Sequence, residues 1–223
     1  MYMNYINRLF SENLLRKTLI LLLIMTSSSV LLAQDDKAPE HKGLFIRGQV
    51  GIGSLSYKGI IFPFNVENNE DVIPAGYANI DLGYSLSRNW AFHLNFGQTG
   101  GQYSYIVTTD DAFYRVTWLG IGASYYFIPS NIFISTSLMG SSLAYNDEAL
   151  EIESTDAGSG FEFKVGKEWK VGKQWGIGVA IIYTALSWED PANYREVVFE
   201  EFGGEVDDIN AGLFSIAFTA TFN

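Results

Sequence analysis

The chain has 223 residues with 25 Asp and Glu against 14 Lys and Arg, a net charge of −11 at pH 7, which is the wrong sign for a nucleic-acid partner. It has no cysteine, so disulfides, Cys-based metal sites and a lipidated N-terminal cysteine are all excluded. One all-β domain suits the length, because barrels run past the usual single-domain size without splitting.

At the N-terminus Arg16 and Lys17 precede the apolar run Leu19–Met25, and a stretch of small residues then ends at Ala33 before Gln34-Asp35-Asp36. Basic, apolar, then small is the order of a secretory signal peptide, with cleavage expected after Ala33. The apolar core is short against the ~20 residues a helical span needs, which disfavours a membrane anchor. Met3 is a candidate for a later translation start. Residues 1–33 are thus read as a signal peptide and 34–42 as a periplasmic lead. No apolar run after Ala33 is long enough for a transmembrane helix.

From Gly43 the pattern changes to period two, the signature of strands with one apolar and one polar face. The first strand sets Leu44, Ile46, Val50 and Ile52 against Arg47, Gln49, Gly51 and Gly53, and a loop follows from Lys58 to Pro74. The second sets Ala78, Ile80, Leu82 and Tyr84 against Tyr77, Asn79, Asp81 and Gly83; Ser87-Arg88-Asn89 then forms a tight turn. In the third, Trp90, Phe92, Leu94 and Phe96 face away from Ala91, His93, Asn95 and Gly97, and Asp110-Asp111 mark the next loop. The fourth shows Leu119, Ile121, Ala123 and Tyr125 opposite Gly120, Gly122, Ser124 and Tyr126, stopped by Pro129-Ser130-Asn131. The fifth alternates Ile132, Ile134 and Leu138 with Phe133, Ser135 and Met139, and a third long loop is read from Ala144 to Gly158. The sixth sets Phe161, Phe163, Val165 and Trp169 against Glu162, Lys164, Gly166 and Glu168. The seventh sets Trp175, Ile177, Val179 and Ile181 against Gly176, Gly178, Ala180 and Thr184. Ser187 to Asp208 is the fourth loop. The last strand alternates Phe214, Ile216, Phe218, Ala220 and Phe222 with Ser215, Ala217, Thr219 and Thr221.

Alternation alone also fits a soluble sandwich or a lipocalin-like barrel, which would bury the apolar face. Three features favour lipid on that face. Glycines crowd the other one, where a narrow lumen must accommodate its own side chains. Aromatics gather at the short-turn ends, where an interfacial girdle belongs. Short and long connections alternate strictly, and charge sorts with them. The long loops hold most of the acids, among them Glu200-Glu201 and Asp207-Asp208, whereas Lys37, Lys42, Arg88, Lys170 and Lys173 fall at the opposite end. The fold class read here is all-β: an eight-stranded antiparallel up-and-down transmembrane β-barrel over residues 43–223.

The signal peptide, the turn Gly83-Tyr84-Ser85-Leu86-Ser87-Arg88-Asn89-Trp90, the strand end Tyr125-Tyr126-Phe127 and the C-terminal aromatic alternation together resemble the small outer-membrane β-barrels of Gram-negative bacteria, of the OmpA-barrel, OmpX and OmpW type. The resemblance spans Gly43 to Asn223. It implies residence in the outer membrane, contact with outer-membrane lipid and lipopolysaccharide, and insertion by the barrel assembly machinery. One departure is that the aromatic Phe222 is penultimate rather than terminal.

Small barrels of this kind include lipid A acyltransferases and deacylases that use a histidine as general base. The two histidines here are His41, before the first strand, and His93, on the lumen face near a short turn, and neither lies in a long loop. His93 reads as a structural lumen residue. The paired acids of the loops read as a solvated surface that divalent cations could bridge to a phosphate-rich leaflet. Arg115 projects outward near the top of the fourth strand, where it can meet a lipid phosphate or simply snorkel. Lys167, outward near the basic rim, reads as snorkelling. No phosphate loop, dinucleotide fingerprint or zinc pattern occurs, so no cofactor is expected. Arg47, Asp81, Glu162 and Lys164 fall at similar depth on the lumen face; a charge there is costly unless paired, and Arg47 with Asp81 is the natural pair because the first two strands are neighbours.

The function favoured on these grounds is a non-enzymatic structural or surface-interaction role with acidic extracellular loops. A narrow pore, or a route for small or apolar solutes, is the alternative. A lipid-modifying enzyme comes third.

Overall fold

A computed structural model describes residues 43–58, 73–104, 111–147, 152–188 and 209–223. The signal-peptide and lead readings, His41, and the paired acids of the fourth loop lie outside the described residues. The chain divides into two units, residues 1–39 and 40–223, and the barrel belongs to the second.

Eight strands make up the barrel: β1 (Gly43–Lys58), β2 (Ile73–Ser85), β3 (Trp90–Ser104), β4 (Asp111–Phe127), β5 (Ile132–Asp147), β6 (Ile152–Lys170), β7 (Trp175–Trp188) and β8 (Ile209–Phe222). Each pairs antiparallel with its sequence neighbour, and β1 pairs with β8 to close the sheet. Closure leaves no unpaired edge, which is what allows strands to lie in hydrocarbon.

Which face meets which solvent is settled by β8. Ser215, Thr219 and Thr221 are fully buried, whereas Phe218 between them is 52 % exposed. The same inversion runs around the wall, with Leu44, Ile52, Leu94, Ile121 and Leu138 all more than half exposed. A soluble fold would have the opposite sense, since a continuous apolar belt of this extent cannot face water. The barrel is a transmembrane one.

Register sets its width. Following paired residues round the wall from Arg47 through Asp81, Asn95, Gly120, Met139, Gly160, Leu186 and Ala211 returns to β1 at Tyr57, a stagger of ten residues. Such stagger tilts eight strands by roughly 35–45° and leaves an interior just wide enough for side chains. Glycines make the room. A Cβ on Gly97 would meet the Trp118 ring at 2.5 Å, and one on Gly166 would meet Phe133 at 2.5 Å, so each of these large rings occupies the space above a glycine.

The turns at the short end are tied to the sheet. Ser87 Oγ accepts from the backbone N–H of Asn89 (3.3 Å) and Trp90 (3.1 Å). Asn89 in turn exchanges bonds with the Tyr126 backbone across the β3–β4 boundary. In the β4–β5 turn Asn131 has φ 52°, and its carbonyl accepts from the Glu168 N–H at 3.0 Å. Lys167, read from sequence as a snorkelling residue, is instead covered: its Nζ donates to the Ser130 carbonyl at 2.8 Å and lies 5.7 Å from the Trp169 ring centroid. An aromatic girdle surrounds this end, with edge-on pairs Trp90–Tyr125 and Trp175–Phe222.

At the other end the strands extend further than the alternation indicated. The segment read as a loop from Ala144 to Gly158 is largely strand: β5 continues to Asp147, β6 starts at Ile152, and Leu143 pairs with Asp156. Beyond the hydrocarbon the outer face need not be apolar, so period two fades from the sequence while the hydrogen-bond ladder continues.

Candidate functional site

The lumen divides by depth. Towards the short turns lies a charged layer. Arg47 on β1 faces Asp81 on its partner strand β2, Nη1 to Oδ2 3.4 Å, because the two are direct register partners. Its Nε lies 3.3 Å from Glu168 Oε1 on β6, across the interior, and its Nη2 donates to the Tyr126 hydroxyl on β4. The guanidinium sits over the Phe133 ring at 4.3 Å, between charge partners on one side and an aromatic face on the other.

Lys164 on β6 reaches Asp81 at 3.2 Å and Glu162 at 2.9 Å, and donates to Gln49 Oε1 at 2.8 Å. Asn95 bridges the two carboxylates, donating to Asp81 (2.8 Å) and to Glu162 (2.9 Å). Asn79 gives Asp81 a further bond at 2.9 Å. Tyr77 donates to Glu162 at 2.7 Å and Thr221 to Glu168 at 2.7 Å. The ion-paired side chains are 0–3 % exposed. The structure therefore brings Arg47, Asp81, Glu162 and Lys164 into one cluster and adds a member not singled out from sequence, Glu168, so that three carboxylates share two cations. Charges this buried persist only when saturated with partners of opposite sign and with hydrogen bonds.

Towards the long loops the lumen is apolar. Tyr114, Val116 and Trp118 of β4, Leu143 of β5, Leu186 and Trp188 of β7, and Leu213 of β8 point inward and are buried. No ion pair crosses this layer among the described residues.

His93 lies in the lumen, 5 % exposed, with Nε2 3.3 Å from Ser137 Oγ. That is the spacing of a base and a nucleophile, but both are walled in, and Nδ1 has no hydrogen-bond partner to orient the ring. Arg115 stands apart from the cluster, exposed on the outer face of β4 between Gly100 of β3 and Ala144 of β5. Among the described residues no group of three or more side chains is arranged to hold a metal ion.

No protein-family model matches the chain, and no curated protein does. Among solved structures, Neisserial surface protein A (NspA) matches with TM-score 0.51 at 11 % identity, over 81 % of this chain and 97 % of that one. The fold is that of the small outer-membrane barrels. Ail, the attachment invasion locus protein of Yersinia pestis, aligns over 81 % of this chain and 99 % of its own with TM-score 0.46 and 10 % identity. The outer membrane protein OprG from Pseudomonas aeruginosa aligns over 84 % and 100 %, with TM-score 0.45 and 13 % identity.

Proposed function

We propose that this chain is an integral protein of a Gram-negative outer membrane, exported through a cleaved signal peptide, with a non-enzymatic role. In this reading the barrel is a sealed scaffold that presents acidic long loops at the cell surface. The observation that carries it is the buried ion-pair layer, in which Arg47, Lys164, Asp81, Glu162 and Glu168 fill the interior at one depth. An ion entering would have to break pairs held in a space only as wide as the side chains that fill it. The burial of His93 and Ser137 in the lumen, with the imidazole lacking a second hydrogen-bond partner to orient it, supports a non-enzymatic role.

The deciding experiment is planar-bilayer conductance of the refolded protein, with and without millimolar calcium to engage the acidic loops. Currents small or absent in both conditions are expected. Large, stable unitary currents would put transport first. A second reading has its own support, because the apolar long-loop half of the lumen is suited to an apolar solute entering from that end. Uptake of a hydrophobic dye by liposomes, with ion conductance still absent, would favour it.

A further inference from the structure

Around the wall the apolar belt gives way to polar residues at the long-loop side, and on β3–β5 that transition has an organised form. Phe96 of β3 and Leu119 of β4 are register partners and end the belt, 55 % and 61 % exposed. One outward step higher, Gln98, Thr117 and Ser142 lie side by side on three adjacent strands. None of the three side chains has a hydrogen-bond partner among the described residues. One further step up is Arg115, exposed and, among the described residues, without an ion-pair partner, with the small Gly100 and Ala144 as its register partners. Outward positions two apart on a strand are separated by roughly 7 Å, within reach of an arginine side chain folding back over the row.

We propose that this shelf binds the headgroup of a phosphorylated glycolipid in the leaflet at the long-loop end. The guanidinium fork takes the phosphate, the small residues beside it leave the space open, and the row of neutral donors and acceptors below meets sugar hydroxyls and amides. A phosphate alone would leave the row of three unused, and an apolar lipid would leave all four unsatisfied. The sequence places an excess of acid in the adjoining loops, which repels a phosphate-rich leaflet, so a dedicated cation at headgroup depth has a task there. The proposal rests on the outer-membrane reading, yet binding in detergent is independent of cellular location, so the two fail separately.

The test is native mass spectrometry of the full-length protein in detergent with three lipids: diphosphorylated lipid A, the same lipid with its phosphates removed, and phosphatidylglycerol. Wild-type protein is expected to hold the diphosphorylated lipid about tenfold better than the dephosphorylated form, the worth of a charge-assisted hydrogen bond. Arg115→Gln should abolish that preference, and Thr117→Val with Ser142→Ala should weaken both glycolipids by a few-fold while keeping it. Lys173→Gln, in the turn at the opposite end, should change nothing. The heat-dependent gel shift of each variant reports that the barrel is folded. An unchanged preference in Arg115→Gln, phosphatidylglycerol held as well as lipid A, or displacement of the lipid by millimolar inorganic phosphate would each overturn the proposal.

Discussion

The two halves of the lumen are filled by different chemistry on the same scaffold. Near the short turns the strands contribute Arg47, Asp81, Glu162, Lys164 and Glu168, joined by amides and hydroxyls. Near the long loops the same eight strands contribute Trp118, Trp188, Leu143, Leu186 and Leu213. The first half is held by ion pairs and hydrogen bonds, the second by packed apolar and aromatic side chains. They should therefore fail differently: loss of one partner strands a charge in the first, and loss of volume opens a cavity in the second.

The largest effect should come from Asp81→Ala, because Asp81 is the carboxylate that faces both cations. Removing it breaks the pair at both cations at once and strips the Asn79 and Asn95 amides of their shared acceptor, leaving Arg47 with Glu168 alone and Lys164 with Glu162 alone, at a cost of roughly 3–5 kcal/mol. Ion leak through liposomes should rise with it. Arg47→Ala combined with Asp81→Ala should cost less than the two single changes added together, as urea unfolding from vesicles would show. Additive losses would mean that the pair is not coupled.

Trp118→Ala should be nearly as destabilising, about 3 kcal/mol by analogy with buried aromatic truncations. Its leak should stay at the wild-type level because the charged layer below is untouched. A leak equal to that of Asp81→Ala would erase the distinction between the halves.

Gly97→Ala probes the boundary, since the added methyl would meet both the Trp118 ring and Asn79 Oδ1, 2.5 and 2.7 Å from its position. Overpacking costs roughly 1–3 kcal/mol, and the loss should fall when combined with Trp118→Leu, measured by the same unfolding assay.

Glu168→Gln should be the mildest, at or below about 1 kcal/mol. Glu168 is the third carboxylate against two cations, Arg47 keeps Asp81, and a glutamine can still accept from Thr221. A loss as large as that of Asp81→Ala would show that the arginine depends on β6 rather than on β2.

These halves were unequally legible in the sequence. The lipid-facing side of Phe214, Ile216 and Phe218 could be read at once, because hydrocarbon demands an unbroken apolar face. Arg47 beside Asp81 was legible because neighbouring strands must pair. Glu168 was assigned to the lumen face without a partner, since its contact with Arg47 crosses the interior and depends on the stagger of the whole sheet. The apolar half was missed. The apolar-outward alternation on β4 begins at Leu119, yet Tyr114, Val116 and Trp118 share the parity of Gly120 and Gly122 and continue the inward face beyond the belt. On β7, Leu186 and Trp188 extend the parity of Ala180 and Thr184 in the same way, past Ser187, where the sequence pattern reads as loop. Outside the hydrocarbon the contrast between faces reverses, and a pattern defined by apolar-outward residues stops registering it.

The cross-lumen bonds also set an order of events. Lys164 meets a glutamine 115 positions earlier in the chain, the arginine meets a tyrosine 79 positions later, and the seam that closes the wall joins the first strand to the last. A chain with β8 still unpaired has two open edges and Glu168 without its threonine partner, so intermediate sheets gain little from partial assembly. Local hairpins form quickly, but contacts this distant in sequence form slowly, so completion of the polar interior and closure of the wall become a single late event.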